Sequence, residues 1–260
     1  MKLSDLSEVL EIVKNVTLEA GRLIIGIYSK DFSVDYKADQ SPITEADQKS
    51  NALIVQTLSS KYPECAILAE ESQDDPERLK NQWCFIIDPL DGTKEFVKKN
   101  GEFTVNVALA FCGKPVLGVI GIPVTGELYY AAKGLGAFYE KNGQVQKISV
   151  SAKTDDIRMV VSRSHRSDKL QALIERNGIQ NITSVGSAIK GCLIARGDAE
   201  VYYRFGLTME WDTAAMQCIV EEAGGVFRQM DDSEMTYNRV NSLNEKGFYV
   251  INHPANRLTL

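Results

Sequence analysis

The chain has 260 residues, of which 44% are apolar and 25% charged, an ordinary globular composition that excludes disorder as its main state. Lys+Arg 29 against Asp+Glu 35 gives a net charge of −6. That balance excludes the broad cationic surface that non-specific nucleic-acid binding needs, but leaves room for a local basic pocket for a small anion.

Residues 5–28 carry apolar side chains at spacings of three and four, from Leu6, Val9 and Leu10 to Leu23, Ile24 and Ile27, which predicts an amphipathic helix. Asp5 and Glu8 fit a capping box at its start. The polar stretch 31–43, with Pro42, reads as a loop or ribbon, and a second helix is expected from Thr44 to about Ser60. Ala66–Ala69 is a short strand closing on Glu70-Glu71, and Trp83–Ile87 is another, closing on Asp88. Thr104–Phe111 and Pro115–Ile122 form a hairpin around Cys112-Gly113-Lys114. Glu127–Ala132 and Gly136–Glu140 follow, and Asn142-Gly143 is a strong two-residue turn. After residue 150 the rhythm alternates. Strands are expected at 157–162, 182–185, 199–203 and 248–251, and helices at 168–176, 188–196 and 211–223. The change of rhythm predicts an α+β first domain, 1–150, and an α/β second domain, 151–260.

The chemistry concentrates in Asp88-Pro89-Leu90-Asp91-Gly92-Thr93. A buried strand delivers two carboxylates into a tight turn, and ligand sites in α/β layers lie at such strand ends. Pro89 fixes φ and Gly92 lets an anion approach the backbone. Two like charges that close together need a cation between them, and Mg²⁺ prefers hard oxygen ligands. A solvated acidic turn is the plainer alternative. Glu70 can add a carboxylate from a neighbouring strand end. Asp212, after Trp211, reads either as a ligand or as a helix-start acid favoured by the macrodipole. Asp47 reads as a cap, in Thr44-x-x-Asp47.

Other chemistries are disfavoured. The acids are spaced D-x-x-D, not the D-x-D of haloacid-dehalogenase phosphatases. There is no P-loop, and Gly134-Leu135-Gly136 lacks the third glycine of a dinucleotide fingerprint. With only His165 and His253, a poly-histidine zinc centre is excluded. Five cysteines without a C-x-x-C are no disulfide framework, and four of them sit in apolar stretches as core residues. Acids at positions 5, 8 and 11 are wrong for a signal peptide, and no apolar run approaches the ~20 residues of a membrane span, so a cytoplasmic location is expected.

Three motifs together resemble the lithium-sensitive, magnesium-dependent phosphomonoesterases typified by inositol monophosphatase: Ala69-Glu70-Glu71-Ser72, Asp88 to Thr93, and Trp211-Asp212-Thr213-Ala214-Ala215. The flanking residues resemble the CysQ-type 3′(2′),5′-bisphosphate nucleotidase branch. They are Lys94-Glu95-Phe96, the stretch Lys37 to Asp47, Ser162 to His165, Gly186 to Lys190 and Tyr203 to Gly206. Leu207, where proline is usual, and Met216-Gln217, where glycine is common, depart from it.

The resemblance implies a layered α-β-α-β-α sugar-phosphatase fold and hydrolysis of adenosine 3′,5′-bisphosphate to AMP and phosphate, a role in sulfur assimilation. It implies two or three Mg²⁺ held by Glu70, Asp88, Asp91, Asp212 and the Leu90 carbonyl. Thr93 would hydrogen-bond the attacking water and Asp47 accept its proton through Thr93, while Gly92 and Thr93 N–H groups cradle the phosphate. His165, Ser187, Lys190 and Arg204 would form the nucleotide subsite, a cationic pair being what a second phosphate requires. A monomer is favoured over a homodimer, and a peripheral position on the inner membrane stays open. Competing readings are an inositol 1-phosphate or fructose 1,6-bisphosphate phosphatase and a non-enzymatic nucleotide or phosphosugar sensor.

Overall fold

A computed structural model describes residues 6–37, 40–164 and 167–259. The long amphipathic stretch forms α1 (Leu6–Tyr28), burying Leu6, Val9, Val13, Val16, Ala20 and Ile24 along one stripe. The polar stretch is a ribbon, β1 (Val34–Tyr36) paired antiparallel with β2 (Pro42–Thr44), which feeds α2 (Glu45–Lys61) with Thr44 as N-cap. Then come β3 (Ala66–Ala69), β4 (Trp83–Asp91), the short α3 (Thr93–Val97), β5 (Thr104–Phe111), β6 (Lys114–Ile122), β7 (Glu127–Ala132), β8 (Gly136–Lys141) and β9 (Gln144–Ile148). They make one seven-stranded sheet in sequence order, with only the β3–β4 pair parallel. Cys112 and Gly113, then Asn142 and Gly143, take positive φ at the two predicted turns, the handedness two-residue hairpins require.

The second half contains β10 (Arg158–Ser162), α4 (Asp168–Arg176), β11 (Asn181–Val185), α5 (Ile189–Ala195), β12 (Val201–Arg204), β13 (Thr208–Met209), α6 (Glu210–Glu222), β14 (Val226–Gln229), β15 (Leu243–Asn244) and β16 (Phe248–Ile251). Five strands form a second sheet in the order β11-β10-β12-β16-β14, and β13 pairs with β15.

Strand alternation sorts the core into layers. Phe85, Ile87, Val105, Val107 and Val119 face α1 and α2 on one side of the first sheet. Cys84, Ile86, Ala108 and Ile120 face the other way, toward α5 and α6, where Val160, Tyr202, Phe248 and Val250 of the second sheet meet them. Met159, Val161, Tyr203 and Tyr249 point to the far side, under Leu170 and Leu173 of α4. The order is helix, sheet, helix, sheet, helix, so α5 and α6 form a central layer shared by both sheets. The close fit shows at Gly118 of β6, where a Cβ would stand 2.5 Å from the Ala215 carbonyl oxygen of α6. Cys65, Cys84, Cys192 and Cys218 are buried, as their apolar surroundings predict, and Cys112 is exposed; all are free thiols. No helix among the described residues is long and apolar enough to cross a membrane.

Two differences from the sequence reading matter. β4 does not stop at Asp88 but continues to Asp91 through a bulge. β14 has no signal in the sequence, because four residues after Gly224-Gly225 give too short a pattern, and its pairing with β16 is set by the fold.

Candidate active site

On a regular strand, residues three apart point to opposite faces. Asp88 pairs with Asn106 and Asp91 with Thr104, so three steps on β4 oppose two on β5. The bulge absorbs one residue, and both carboxylates reach the same end of the sheet. Asp88 is 1% exposed, and its Oδ1 accepts the Leu90 N–H at 3.1 Å. Gly92 then reverses the chain at φ +93; a Cβ there would meet the Glu102 carbonyl at 3.1 Å and the Ser187 Cβ at 3.3 Å.

Thr93 opens α3. Its hydroxyl donates to Asp47 Oδ1 at 3.0 Å and also lies 3.3 Å from the Leu90 carbonyl oxygen. Asp47 sits at the third position of α2, 1% exposed. Its Oδ2 accepts from the Thr44 N–H at 2.8 Å and the Thr44 hydroxyl at 2.6 Å. The same carboxylate therefore caps a helix and holds the Thr93 hydroxyl. Burial pushes its pKa above the ordinary aspartate value, against the Thr44 and Thr93 hydrogen bonds that lower it.

Asp212 reaches the site from the first turn of α6, where its Oδ2 accepts the Met209 N–H at 2.6 Å. That turn is anchored by the buried Asn244, whose amide donates to the Met209 carbonyl at 2.8 Å and the Thr208 hydroxyl at 3.1 Å. Buried Glu210 accepts the backbone N–H groups of Asn238 at 2.5 Å and Arg239 at 3.0 Å. Asp88, Asp91 and Asp212 each offer an oxygen, and these lie within 4.8 Å of one another.

Burial, and then the neighbouring Glu70, Asp91 and Asp212, push the Asp88 carboxyl well above its ordinary value. Burial and Asp91 push Asp212 up in the same way. Three hard oxygen donors, one buried and two half-buried, that repel one another fit a hard divalent cation, whose charge would relieve the repulsion.

Asp91 and Asp212 of the cluster line a cavity of about 370 Å³, together with Glu70, Gly92, Thr93, Ser187, Lys190 and Arg204. Lys190 is 4% exposed and donates to the Ser187 carbonyl, with its Nζ 5.4 Å from the Tyr202 ring centre. Burial lowers its pKa to about 8, with Asp91 working in the opposite direction. Arg204 Nη2 donates to the Leu207 carbonyl at 3.2 Å. Ser187 Oγ and Arg204 Nε are buried without a hydrogen-bond partner among the described residues. Ser187 also holds φ +46, costly for a residue with a Cβ. Asp88, Leu90 and Asp47 lie behind the lining, and His165 lies outside the described residues.

The sequence profile of the inositol monophosphatase family matches residues 5–255. The chain belongs to the inositol monophosphatase family. It is 40% identical over 246 residues to the 3′(2′),5′-bisphosphate nucleotidase CysQ of Salmonella typhimurium, covering 93% of this chain and 98% of that one. It is also 40% identical to the CysQ of Buchnera aphidicola, covering 93% of each. Among solved structures, CysQ from Bacteroides thetaiotaomicron superposes with a TM-score of 0.82 at 37% identity, over 94% of this chain and 97% of that one. An IMPase from Thermotoga maritima gives 0.80 at 27%, over 94% and 92%. The layered arrangement is thus that of the inositol monophosphatase family.

Some residues at the site of this family member have no role assigned from the sequence. Lys37 donates to Glu70 at 2.8 Å and Glu71 at 2.5 Å. Burial disfavours its ammonium, but the two glutamates outweigh that and raise its pKa. Glu70 lines the cavity bonded to Lys37 and is not one of the three clustered carboxylates. Trp211, Tyr202, Phe248 and Leu243 give the cavity an apolar wall. Tyr202 and Phe248 read as core strand residues, so their pattern carries no ligand signal.

Proposed function

We propose that this chain is a Mg²⁺-dependent 3′(2′),5′-bisphosphate nucleotidase that hydrolyses adenosine 3′,5′-bisphosphate to AMP and phosphate, serving sulfur metabolism. The observation that carries this reading is one cavity lined by Asp91, Asp212, Thr93, Lys190 and Arg204, with Asp88 completing the carboxylate cluster and Asp47 holding the Thr93 hydroxyl from behind. Its relatives named 3′(2′),5′-bisphosphate nucleotidase support the substrate class.

Asp88, Asp91 and Asp212, joined by Glu70 and the Leu90 carbonyl, would hold two or three Mg²⁺. When bound, these ions supply charge neutralisation for the phosphoryl oxygens and make the attacking water more acidic. The Thr93 hydroxyl orients that water and relays its proton to Asp47, whose raised pKa makes it the better base. The N–H groups of Gly92 and Thr93 receive phosphate oxygens. Lys190 and Arg204 bind the phosphate that is not cleaved, Ser187 donates its unpartnered hydroxyl there, and His165 completes this subsite. The Trp211 side of the cavity takes the base.

Positioning and charge neutralisation have to supply nearly the whole acceleration of so slow a reaction. The test is phosphate release from adenosine 3′,5′-bisphosphate, inositol 1-phosphate and fructose 1,6-bisphosphate, each with Mg²⁺ and with chelator. Preference for the nucleotide, abolished by chelator, is expected. Preference for either sugar phosphate would overturn the subsite, and no release from any would overturn the enzymatic reading. We further read the protein as a cytoplasmic monomer, which light scattering and cell fractionation test.

A further inference from the structure

Glu102 stands on the connection between α3 and β5 and is outside the cavity lining. Its carboxylate nevertheless accepts three bonds from the second half of the chain. Arg163 donates from Nε at 2.6 Å and Nη2 at 2.5 Å, and the Gly186 N–H donates at 2.8 Å. Arg163 Nη2 also donates to the Ser184 carbonyl at 2.7 Å, so one guanidinium ties both ends of this contact. The Glu102 backbone closes the gap from its other side. A Cβ on Gly186 would stand 2.7 Å from the Glu102 carbonyl oxygen, and one on Gly92 would stand 3.1 Å from it. The Gly92 turn, residue 102 and the Gly186 turn are therefore stacked without room for a side chain between them.

The Gly186 turn leads straight into the reaction site. Ala188 and Ser187 line the cavity beside Asp91, with the Ala188 N–H facing the Asp91 carboxylate, and Ser187 holds a left-handed conformation that its surroundings must impose. The ion pair itself is partly exposed, with Arg163 at 45% and Glu102 at 22%. At that exposure it adds little to global stability, but a two-pronged guanidinium–carboxylate contact fixes orientation as well as distance.

We infer that Glu102 and Arg163 form a positioning latch that clamps the Gly186-Ser187-Ala188 turn against the Asp91-Gly92 turn and so sets where Asp91 and Ser187 meet the substrate. Its effect on turnover rests on the proposed function, while the latch itself does not.

Hydrogen–deuterium exchange and steady-state kinetics on the full-length protein test it, with Glu102→Ala, Glu102→Gln and Arg163→Lys compared to wild type. In Glu102→Ala, or in Glu102→Gln should the alanine variant not fold, the amides of 186–188 should exchange faster while those of the core sheets do not. kcat for the bisphosphate should fall ~10- to 100-fold, the scale for misplaced reacting groups, with KM changing less. Arg163→Lys keeps the charge without the fork and should show a smaller loss of the same kind. Unchanged exchange at 186–188 would overturn the latch, and faster exchange with unchanged kcat would overturn its role in turnover. If wild-type protein releases phosphate from no substrate, the functional reading fails, and the exchange measurement still decides the latch.

Discussion

Asp47→Asn is the sharpest perturbation of the proposed chemistry. The carboxylate has three bonds in the structure, two at Oδ2 from Thr44 and one at Oδ1 from Thr93. Asparagine has the same shape and can keep its oxygen toward Thr44, so the helix cap survives. Its amide nitrogen then faces Thr93 and can only donate, leaving the Thr93 proton with nowhere to go. General-base catalysis contributes ~10²- to 10⁴-fold, about 3–5 kcal/mol at about 1.36 kcal/mol per tenfold. The cap change should cost at most about 1 kcal/mol, or ~2–4 °C in Tm for a chain of this size. The expected result is a collapse of kcat with KM and Tm little changed. Thr93→Val should lose a similar factor. The double variant should be scarcely worse than either single, because the two groups act as one unit. Wild-type kcat in Asp47→Asn, or losses that multiply in the double variant, would refute the relay. Since the base must be ionised, kcat/KM should fall as pH drops through the raised Asp47 value, and this limb should vanish in the variant.

Asp91→Asn should weaken Mg²⁺ binding and abolish turnover at limiting metal, yet its Tm in chelator should equal or exceed that of wild type, because one of three repelling carboxylates is gone. A Tm several degrees lower would show that Asp91 serves the fold instead. Lys190→Ala should cut kcat/KM for the bisphosphate ~10- to 100-fold, the scale of a charged hydrogen bond of about 1.5–3 kcal/mol, and spare a simple monophosphate; equal losses on both would remove Lys190 from the second-phosphate subsite. Away from the site, Glu200 is fully buried and accepts Arg158 N–H at 2.7 Å and Nε at 3.0 Å. Burial works to raise its pKa, but the Arg158 bonds outweigh that and lower it. A lowered carboxyl contributes stability that is full above the unfolded value of about 4.3 and is lost as pH falls through the folded one. Glu200→Gln should therefore lower Tm at neutral pH and flatten its decline in acid, and a parallel decline in both proteins would contradict the assignment.

Periodicity and turn chemistry carried much of the fold. The stripe from Leu6 to Ile24 and the Asn142-Gly143 hairpin are local signals, and local signals survive in one dimension. The bulge between Asp88 and Asp91 is not local: it exists because β4 must stay in register with β5, and Pro89 reads equally as the start of a turn. The acids of the cluster were legible by motif, but Asp212 alone resembles any helix-start acid. Only the docking of α6 against Gly118 and Asn244 brings it within reach of Asp88. Lys37 was legible only as part of a motif and Glu102 not at all, because their partners lie 33 to 84 residues away.

The central helical layer makes the cluster a product of the whole chain. Asp88 and Asp91 belong to the first sheet, while Asp212 arrives on a helix packed between both sheets, more than a hundred residues later. A nascent chain stopped before α6 holds two of the three acids and no third side to the cage. With contacts so far apart in sequence, the three acids stand together only when the central helical layer is docked between the two sheets. On the proposed function, affinity for a divalent cation reports whether that layer is in place.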